Sequence, residues 1–175
     1  MEILRKVIRN VPDFPKPGIQ FKDITTLLQQ PELGAVVVKG FTDHLKDQKI
    51  DAVIGIESRG FIYGYAVAAA LNVPFIPIRK AGKLPAETIS QEYDLEYGSA
   101  KIEIHKDALK PGMRVFIHDD LLATGGTAAA AAMLCKKLGA EIAAFGFIVE
   151  LDALQGRACL LPFCDNIISL VNYSD

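Results

Sequence analysis

The chain of 175 residues has a formal net charge of −2, with 50% hydrophobic and 23% charged residues. This is an ordinary globular composition, and its slightly acidic balance argues against a nucleic-acid-binding protein. No apolar run reaches the roughly 18 residues of a membrane span, and the N-terminus lacks the apolar segment of a signal peptide. The three cysteines show no CxxC spacing, which disfavours a disulfide framework or structural zinc. We expect a reduced, cytoplasmic protein whose residues 1–175 form a single domain.

In chain order, the apolar pattern alternates between helices and strands. Helices are predicted at 1–8, 31–47 and 60–71, and an Ala-rich helix is predicted after the loop 123–127. Strands are predicted at 51–56, 74–78, 114–117 and 143–149. Helices or long connections, not tight hairpins, separate these strands. The pattern therefore predicts an α/β fold with a mostly parallel central sheet flanked by helices.

Two segments depart from this alternation. Residues 12–18 contain three prolines, which predicts irregular structure. Residues 80–104 are polar, rich in charge and tyrosine, and without helical periodicity. A short antiparallel pair, 87–93 with 98–104, is predicted inside this segment. A long connection of this kind in a compact domain is usually functional, so we expect a lid.

The loop after strand 114–117 carries two chemically distinct features. Asp119 and Asp120 come first, and the small residues Ala123, Thr124, Gly125, Gly126 and Thr127 follow before a helix. Backbone N–H groups of a glycine-rich turn at a helix N-terminus bind anions, whereas carboxylates accept hydrogen bonds from vicinal hydroxyls. A sugar carrying a 5′-phosphate would fit both halves. The alternative is a charge pair at a strand end followed by a helix capped by Thr127.

Two further loops fall at carboxyl ends of predicted strands, where ligands bind in open α/β sheets. Ser58 and Arg59 follow strand 51–56, and Arg59 could bind a diphosphate, although an exposed arginine is equally consistent. After strand 74–78, Arg79, Lys80 and Lys83 could hold a polyphosphate leaving group. A solvated basic cluster is the alternative there.

These segments resemble a known family. Residues 115–127 (VFIHDDLLATGGT) resemble the phosphoribosyl pyrophosphate (PRPP) motif of type I phosphoribosyltransferases. Four more segments resemble the adenine-specific branch of that family and occur in its order: 14–25 (FPKPGIQFKDIT), 57–61 (ESRGF), 78–85 (IRKAGKLP) and 95–98 (LEYG). The PRPP motif alone would indicate only the superfamily, whereas the first and last of these segments indicate adenine.

The resemblance implies a type I phosphoribosyltransferase fold with an N-terminal hood, about residues 1–35, and a flexible lid loop, about residues 80–104. It implies purine salvage, in which adenine and PRPP give AMP and pyrophosphate. Mg²⁺ would be carried by PRPP, with no direct metal ligand from the protein. The family is also expected to form homodimers, with no nucleic acid or membrane partner.

The resemblance also implies roles for individual residues. Asp119 and Asp120 would hold the ribose 2′ and 3′ hydroxyls, and residues 123–127 would cradle the 5′-phosphate. Glu96 would act as the acid or base at adenine, beside Tyr97 in the lid. The pyrophosphate would be held by Ser58, Arg59, Arg79, Lys80 and Lys83. Adenine would be held by Gln20, Phe21 and Lys22, largely through backbone groups, with Leu122 as a packing surface.

Two residues depart from the family pattern, and three alternative functions are consistent with the fold. Thr26 stands where many bacterial relatives have proline, and His118 stands where an aliphatic residue is usual. Strand alternation predicts that His118 points away from the ligand. The rivals are a transferase for another base such as xanthine, a PRPP-sensing regulator without catalysis, and an RNA-binding regulator of the same fold, which the acidic balance disfavours.

Overall fold

The computed structural model describes residues 1–94 and 99–174. A seven-stranded sheet with the order β5-β6-β4-β3-β7-β8-β9 is flanked by helices, and a separate two-stranded sheet pairs β1 with β2. The helices are α1 (Glu2–Val7), α2 (Thr25–Leu28), α3 (Pro31–Leu45), α4 (Gly60–Leu71), α5 (Gly126–Lys137) and α6 (Gly156–Leu160), with a 3-10 helix at Asp152–Leu154. The strands are β1 (Arg9–Pro12), β2 (Gln20–Asp23), β3 (Ala52–Ile56), β4 (Phe75–Lys80), β5 (Thr88–Asp94), β6 (Ser99–His105), β7 (Arg114–Leu122), β8 (Glu141–Leu151) and β9 (Ile167–Tyr173).

The sheet buries hydrophobic residues on both faces. Along β3 and β7, successive side chains alternate between the faces, so that Ile54 and Ile117 join one cluster and Val53 and Phe116 join the other. The first cluster contains the alanines of α5, whose small side chains let that helix lie close to the sheet. The second cluster packs against α3 and α4. The predicted α/β architecture is confirmed.

The path of the chain produces a crevice between β3 and β7. From β3 the chain crosses through α4 to β4 on one side, and from β7 it crosses through α5 to β8 on the other. These pairings are all parallel, so the strand order reverses between β3 and β7. Ligands bind outside the carboxyl ends of the strands at such a switch point. None of the helices in the described part of the chain has the length and apolar character that crossing a membrane requires.

The bounds of the predicted helices and strands agree with the structure to within a few residues. The exception is β7, the strand that carries Asp119 and Asp120. Strand β7 does not end at Ile117 but continues through Asp119 and Asp120 to Leu122. Its pairing with β3 stops at His118, whereas its pairing with β8 continues to Leu122. The prediction that the adjacent charges end the strand was therefore wrong. The two carboxylates are tolerated in this part of β7 because it faces the crevice.

The hood contains regular structure that sequence analysis did not predict. Strands β1 and β2 pair antiparallel, with Pro12 opposite Gln20. The prediction of irregular structure from residue 12 was thus wrong at Pro12 itself, because proline is tolerated at the end of an edge strand. Residues 13–19 form the irregular connection as predicted, and the Phe14–Pro15 peptide bond is cis.

Much of the predicted lid segment belongs to the main sheet. The predicted antiparallel pair is confirmed, because β5 pairs with β6 from Thr88 opposite His105 to Asp94 opposite Ser99. Strand β6 also pairs with β4, which extends that strand to Lys80. The expectation of one flexible loop over 80–104 was therefore too broad. Residues 95–98, including Glu96 and Tyr97, lie outside the described residues.

Candidate active site

A central cavity of about 340 Å³ opens at the carboxyl ends of β3, β4 and β7. It brings together residues from four separate predicted segments of the sequence. The side chains that line it are Glu57, Ser58, Arg59, Lys80, Tyr93, Asp119, Asp120 and Thr127. The sequence-predicted residues on the loops after 56, 78 and 117 are thus brought to one site.

The carboxylates of Asp119 and Asp120 have different environments. The Nε of Arg59 donates to Oδ2 of Asp120 at 2.6 Å, and the Asp120 side chain is only 6% exposed. The backbone N–H of Asp120 donates to Oδ1 of Asp119 at 2.8 Å. Burial, and next the negative charge of Asp120, raise the pKa of the Asp119 carboxyl well above its ordinary value. A ligand that donates hydroxyl hydrogen bonds to this pair would relieve their repulsion.

The glycine loop, residues 123–127, joins β7 to α5. Gly125 is the N-cap of α5, with φ +85°, a left-handed conformation that favours glycine. The helix begins at Gly126, so Thr127 lies in its first turn and the alternative with Thr127 as N-cap was wrong. A cavity of about 70 Å³ lies against this loop, lined by Asp119, residues 121–127 and Ala128. Helix N-terminal N–H groups without intrahelical partners make such a cavity suited to an anion.

Glu57 is a site residue that sequence analysis did not assign. Its carboxylate accepts from Arg79 (Nε to Oε2, 3.3 Å), from Lys83 (Nζ to Oε1, 3.3 Å) and from the backbone N–H of Lys80 at 3.0 Å. Burial raises the pKa of Glu57, but the Lys80 N–H, Arg79 and Lys83 together hold it below its ordinary value. The feature of the sequence that could have identified Glu57 is its position directly after a wholly buried strand. The peptide bond from Glu57 to Ser58 is cis.

The three predicted cations are therefore not equivalent. Arg79 and Lys83 are both paired with Glu57, and Arg79 also donates to the carbonyl of Lys83 at 3.1 Å. Lys80 lines the central cavity, whereas Arg79 and Lys83 are not among the residues that line it. Arg79 and Lys83 are partly solvated, with side chains 33% and 51% exposed, and both pair with the Glu57 carboxylate, whose side chain is 10% exposed. Their role at the pyrophosphate stays a prediction.

A third cavity, of about 360 Å³, lies under the hood and is lined by Val11, Phe14, Phe21, Asp23 and Arg59. The rings of Phe14 and Phe21 meet edge-to-face with centroids 5.1 Å apart. The guanidinium carbon of Arg59 lies 5.2 Å from the centroid of the Phe21 ring. Two aromatic rings and a cation form a surface on which a flat base can pack.

The side chains of the other residues predicted to hold adenine lie elsewhere, and the backbone contacts expected from Gln20 and Lys22 stay a prediction. Asn10 binds both Gln20 (Nδ2 to Oε1, 2.7 Å) and Lys22 (Nζ to Oδ1, 3.1 Å), on the strand face opposite Phe21. Lys22 also lies 4.1 Å from the centroid of the Tyr173 ring. Leu122 is buried in the wall of the cavity at the glycine loop, not in the hood cavity. Of the four residues predicted to hold adenine, Phe21 alone lines the hood cavity within the part of the chain that the structure describes.

His118 is fully buried and points away from the central cavity, as predicted. Its ring lies between Phe41 and Phe116, with centroids 5.1 Å and 6.1 Å away. Nδ1 is 2.9 Å from the carbonyl oxygen of Gly146, and Nε2 has no partner among the described residues. Burial lowers the pKa of His118 to about 4, so the ring is neutral at ordinary pH. The residue packs beneath the site without facing it.

The three cavities are adjacent, because they share lining residues, and we refer to them together as the groove. Asp119 and Thr127 belong to both the central cavity and the cavity at the glycine loop. Arg59 belongs to both the central cavity and the hood cavity. The groove therefore runs from an anion site, past two carboxylates and a group of cations, to an aromatic pocket. A phosphorylated sugar joined to a flat base has this order of chemical groups.

Comparison with known proteins agrees with this geometry. The model of the phosphoribosyl transferase domain family matches residues 23–160, and the chain belongs to that family. Curated relatives in it are adenine phosphoribosyltransferases: that of Acaryochloris marina is 55% identical over 97% of this chain and 99% of its own length. That of Cytophaga hutchinsonii is 52% identical over 98% of this chain and 95% of its own length.

The chain also resembles a solved structure closely. The crystal structure of adenine phosphoribosyltransferase from Thermoanaerobacter pseudethanolicus superposes with a TM-score of 0.95 and 46% identity, over 98% of this chain and 99% of that one. The enzyme from Saccharomyces cerevisiae, solved with adenine and an imino-altritol bisphosphate, gives 0.92 and 41% over 97% of both chains. Among the phosphoribosyltransferases, this chain thus belongs with the adenine phosphoribosyltransferases.

Proposed function

We propose that this chain transfers the phosphoribosyl group of PRPP to adenine, forming AMP and pyrophosphate in purine salvage. The observation that carries the proposal is the groove, in which Arg59, Asp119 and Thr127 each line two of three adjacent cavities of different chemistry. The order of those cavities matches phosphate, ribose and base along AMP. The relatives named adenine phosphoribosyltransferase and the adenine-bound yeast structure support the choice of base.

Each part of the groove has a role in this proposal. The glycine loop holds the 5′-phosphate through N–H groups at the start of α5, with hydroxyls from Thr124 and Thr127. Asp119 and Asp120 accept hydrogen bonds from the ribose hydroxyls. Phe21 and the neighbouring backbone of β2 form the adenine pocket.

The pyrophosphate lies among the cations at the ends of β3 and β4. Ser58 and Arg59 approach it from one loop, and Lys80 approaches it from the other. Arg79 and Lys83 reach it by exchanging their bonds to Glu57 for bonds to phosphate oxygens. As the bond from the ribosyl carbon to pyrophosphate breaks, negative charge grows on the leaving group, and fixed cations stabilise it.

Proton transfer and exclusion of water complete the reaction. Attack by N9 of adenine requires loss of its proton, and Glu96 is the proposed base. Tyr97 lies beside it in sequence, in the segment that joins β5 to β6, and this segment is proposed to close over the ribosyl centre. Closure keeps water away from the electron-poor ribosyl carbon. Water that reached this carbon would hydrolyse PRPP.

The proposal treats Mg²⁺ as part of the PRPP substrate. Among residues 1–94 and 99–174, no three His, Cys, Asp or Glu side chains form a metal-binding group. Oxygen ligands suit Mg²⁺, so phosphate oxygens and water, with Asp119 and Asp120 nearby, fit a substrate-borne ion. When bound, the ion would neutralise charge on the diphosphate. We further propose a cytoplasmic homodimer with a hood over about 1–35.

The proposal is tested by incubating the purified protein with PRPP, Mg²⁺ and, separately, adenine, hypoxanthine, guanine, xanthine or orotate, and measuring the nucleotide formed. We expect AMP from adenine and no comparable product from the other bases. A different nucleotide would retain the PRPP site but reject the adenine pocket. No product with any base, together with measurable PRPP binding, would indicate a PRPP sensor. Glu96→Gln tests the proposed base, and we expect it to lower turnover.

A further inference from the structure

Helix α6 is in direct backbone contact with the glycine loop. A Cβ on Gly125 would lie 2.5 Å from the carbonyl oxygen of Gly156 and 2.9 Å from Cβ of Cys159. A Cβ on Gly156 would in turn collide with the carbonyl oxygen of Ala123 and lie 2.8 Å from Cδ1 of Leu122. Neither position has room for a side chain. The conformation of the glycine loop therefore depends on where α6 lies.

Arg157 fixes the position of α6. Its Nε donates to Oε1 of Glu150 at 2.7 Å and its Nη2 donates to Oε2 at 2.8 Å, a bidentate pair. Its Nη1 donates to the carbonyl oxygen of Ile167 at 2.9 Å. The Glu150 side chain is only 5% exposed. A planar fork with three such bonds fixes both the distance and the rotation of the short helix against β8 and β9.

The same ion pair is connected to the strand that leads into the glycine loop. Glu150 on β8 is the register partner of Leu122, the last residue of β7. The loop is thus held on two sides: through Leu122 by the strand beside Glu150, and through Gly156 by the helix that Arg157 anchors. All three guanidinium nitrogens donate to protein acceptors, so Arg157 is occupied and does not itself reach the groove.

We propose that the ion pair between Glu150 and Arg157 is a positioning device for 5′-phosphate recognition. It holds α6 against the glycine loop so that the loop N–H groups converge on one phosphate. This inference rests on the proposed function, in which residues 123–127 bind the 5′-phosphate. The pair is only partly buried, with side-chain exposures of 5% for Glu150 and 42% for Arg157. Such a pair contributes little net stability, whereas its directional bonds fix orientation. The pair should therefore matter more for phosphate binding than for folding.

The test compares ligands that do and do not carry the 5′-phosphate. Dissociation constants for AMP, ribose 5-phosphate, adenine and pyrophosphate are measured by calorimetry for the intact protein and for Arg157→Lys and Glu150→Gln. Loss of charge-assisted bonds should weaken AMP and ribose 5-phosphate roughly tenfold. Adenine and pyrophosphate should bind unchanged, and KM for PRPP should rise while kcat stays close to that of the parent.

Two further variants separate positioning from folding. The double replacement Glu150→Met with Arg157→Met removes both charges and should fold as stably as the parent, yet still bind AMP weakly. Arg114→Lys is the matched control: Arg114 pairs with Glu141 at 3.1 Å, at the opposite ends of β7 and β8. It should leave AMP binding unchanged.

Any of three results would overturn the inference. One is parental AMP affinity in Arg157→Lys, and another is parental AMP affinity in the double methionine variant. Weakening of all four ligands by the same factor would also reject it, because that would be a general structural effect. Failure of the proposed function would be distinct, since the parent protein itself would then form no AMP from adenine and PRPP.

Discussion

Arg59 and Asp120 meet at 2.6 Å, Nε to Oδ2, across the crevice between α4 and β7. Arg59 is the N-cap of α4, and Asp120 is the less exposed of the two adjacent carboxylates. The guanidinium also lies over the ring of Phe21 in the hood. One side chain thus touches the region proposed for ribose and the region proposed for base.

Arg59→Lys should impair the use of both substrates. Lysine keeps the charge but loses the Nε bond to Asp120 and the planar contact with Phe21. We expect kcat/KM for PRPP and for adenine to fall roughly tenfold to a hundredfold, as for loss of a charge-assisted hydrogen bond. Steady-state kinetics with each substrate varied in turn measures this.

A control for that variant is available on α3. Lys39 and Asp43 form an ion pair of 2.7 Å with side chains that are 73% and 59% exposed. Lys39→Ala should leave kcat/KM unchanged, because exposed pairs contribute little. If Arg59→Lys affected adenine alone, Arg59 would not orient Asp120.

Asp119→Asn should stabilise the protein while removing activity. Because the pKa of Asp119 is raised in the fold, its charged form at neutral pH is less favourable folded than unfolded. Asparagine removes that charge and keeps an oxygen to accept from the N–H of Asp120. We expect a higher midpoint of urea unfolding at pH 7, with loss of PRPP binding.

The difference in urea midpoint between Asp119→Asn and the parent protein should shrink as the pH falls. Asp119 of the parent then becomes protonated, and it does so at a higher pH in the folded protein than in the unfolded chain. Asp120→Asn is the matched comparison and should lower the midpoint, since it removes the partner of Arg59. Equal effects of the two asparagine variants would show that the carboxylates share one environment.

Glu57→Gln should strengthen inhibition by pyrophosphate. The Glu57 carboxylate pairs with both Arg79 and Lys83 and also lines the cavity proposed for the leaving group. Removing its charge exposes positive charge to pyrophosphate and removes a repelling neighbour. We expect a pyrophosphate inhibition constant several-fold lower, together with slower turnover as release becomes slower.

Glu57→Asp is the matched comparison, because it retains the negative charge but moves the carboxylate on a shorter side chain. It should not tighten pyrophosphate binding. Weaker inhibition in Glu57→Gln would mean that the carboxylate serves chiefly to position Arg79 and Lys83.

His118 should make the protein sensitive to mild acid. Its pKa is about 4 when folded and near the ordinary 6.5 when unfolded, so the unfolded chain takes up the proton first. The stability present above pH 6.5 is therefore lost as the pH falls toward 4, by about 3 kcal/mol in all. Urea unfolding between pH 7 and pH 4 measures this slope.

His118→Leu should have a shallower slope over the same range, even if it is less stable at pH 7. His44→Gln, on the exposed side of α3, is the comparison for loss of a histidine. An unchanged slope in His118→Leu would show that other groups dominate the acid response.

The elements predicted well are those whose signal is local. The apolar run of β3 and the helix α4 were found almost to the residue, because burial on both faces of a sheet needs an uninterrupted apolar strand. The hood strands β1 and β2 were missed because each has only four residues, too few for a clear alternation of apolar and polar side chains. Strand β9 was also missed, although its apolar residues carry the signal of a buried strand.

For the site, the residues that converge on the central cavity were predictable because parallel strands end at one edge. The bonds among them were not, since they depend on distances between loops far apart in sequence. Glu57 was overlooked for this reason: its partners lie 22 to 26 positions away along the chain. Gln20 and Lys22 were chosen by resemblance, and the side each strand residue faces follows only from the pairing of β1 with β2.

The unequal lengths of β3 and β7 have a consequence for solubility. Beyond His118, β7 pairs with β8 alone among the described residues, so the other side of its last four residues is an unpaired strand edge inside the sheet. Unpaired edges at the border of a sheet can recruit strands from other molecules and start aggregation. Here the start of α4 lies against the beginning of that edge, since a Cβ on Gly60 would lie 2.8 Å from the carbonyl oxygen of His118 and 3.1 Å from Cα of Asp119. The protein can therefore keep a binding edge open without exposing it to other chains.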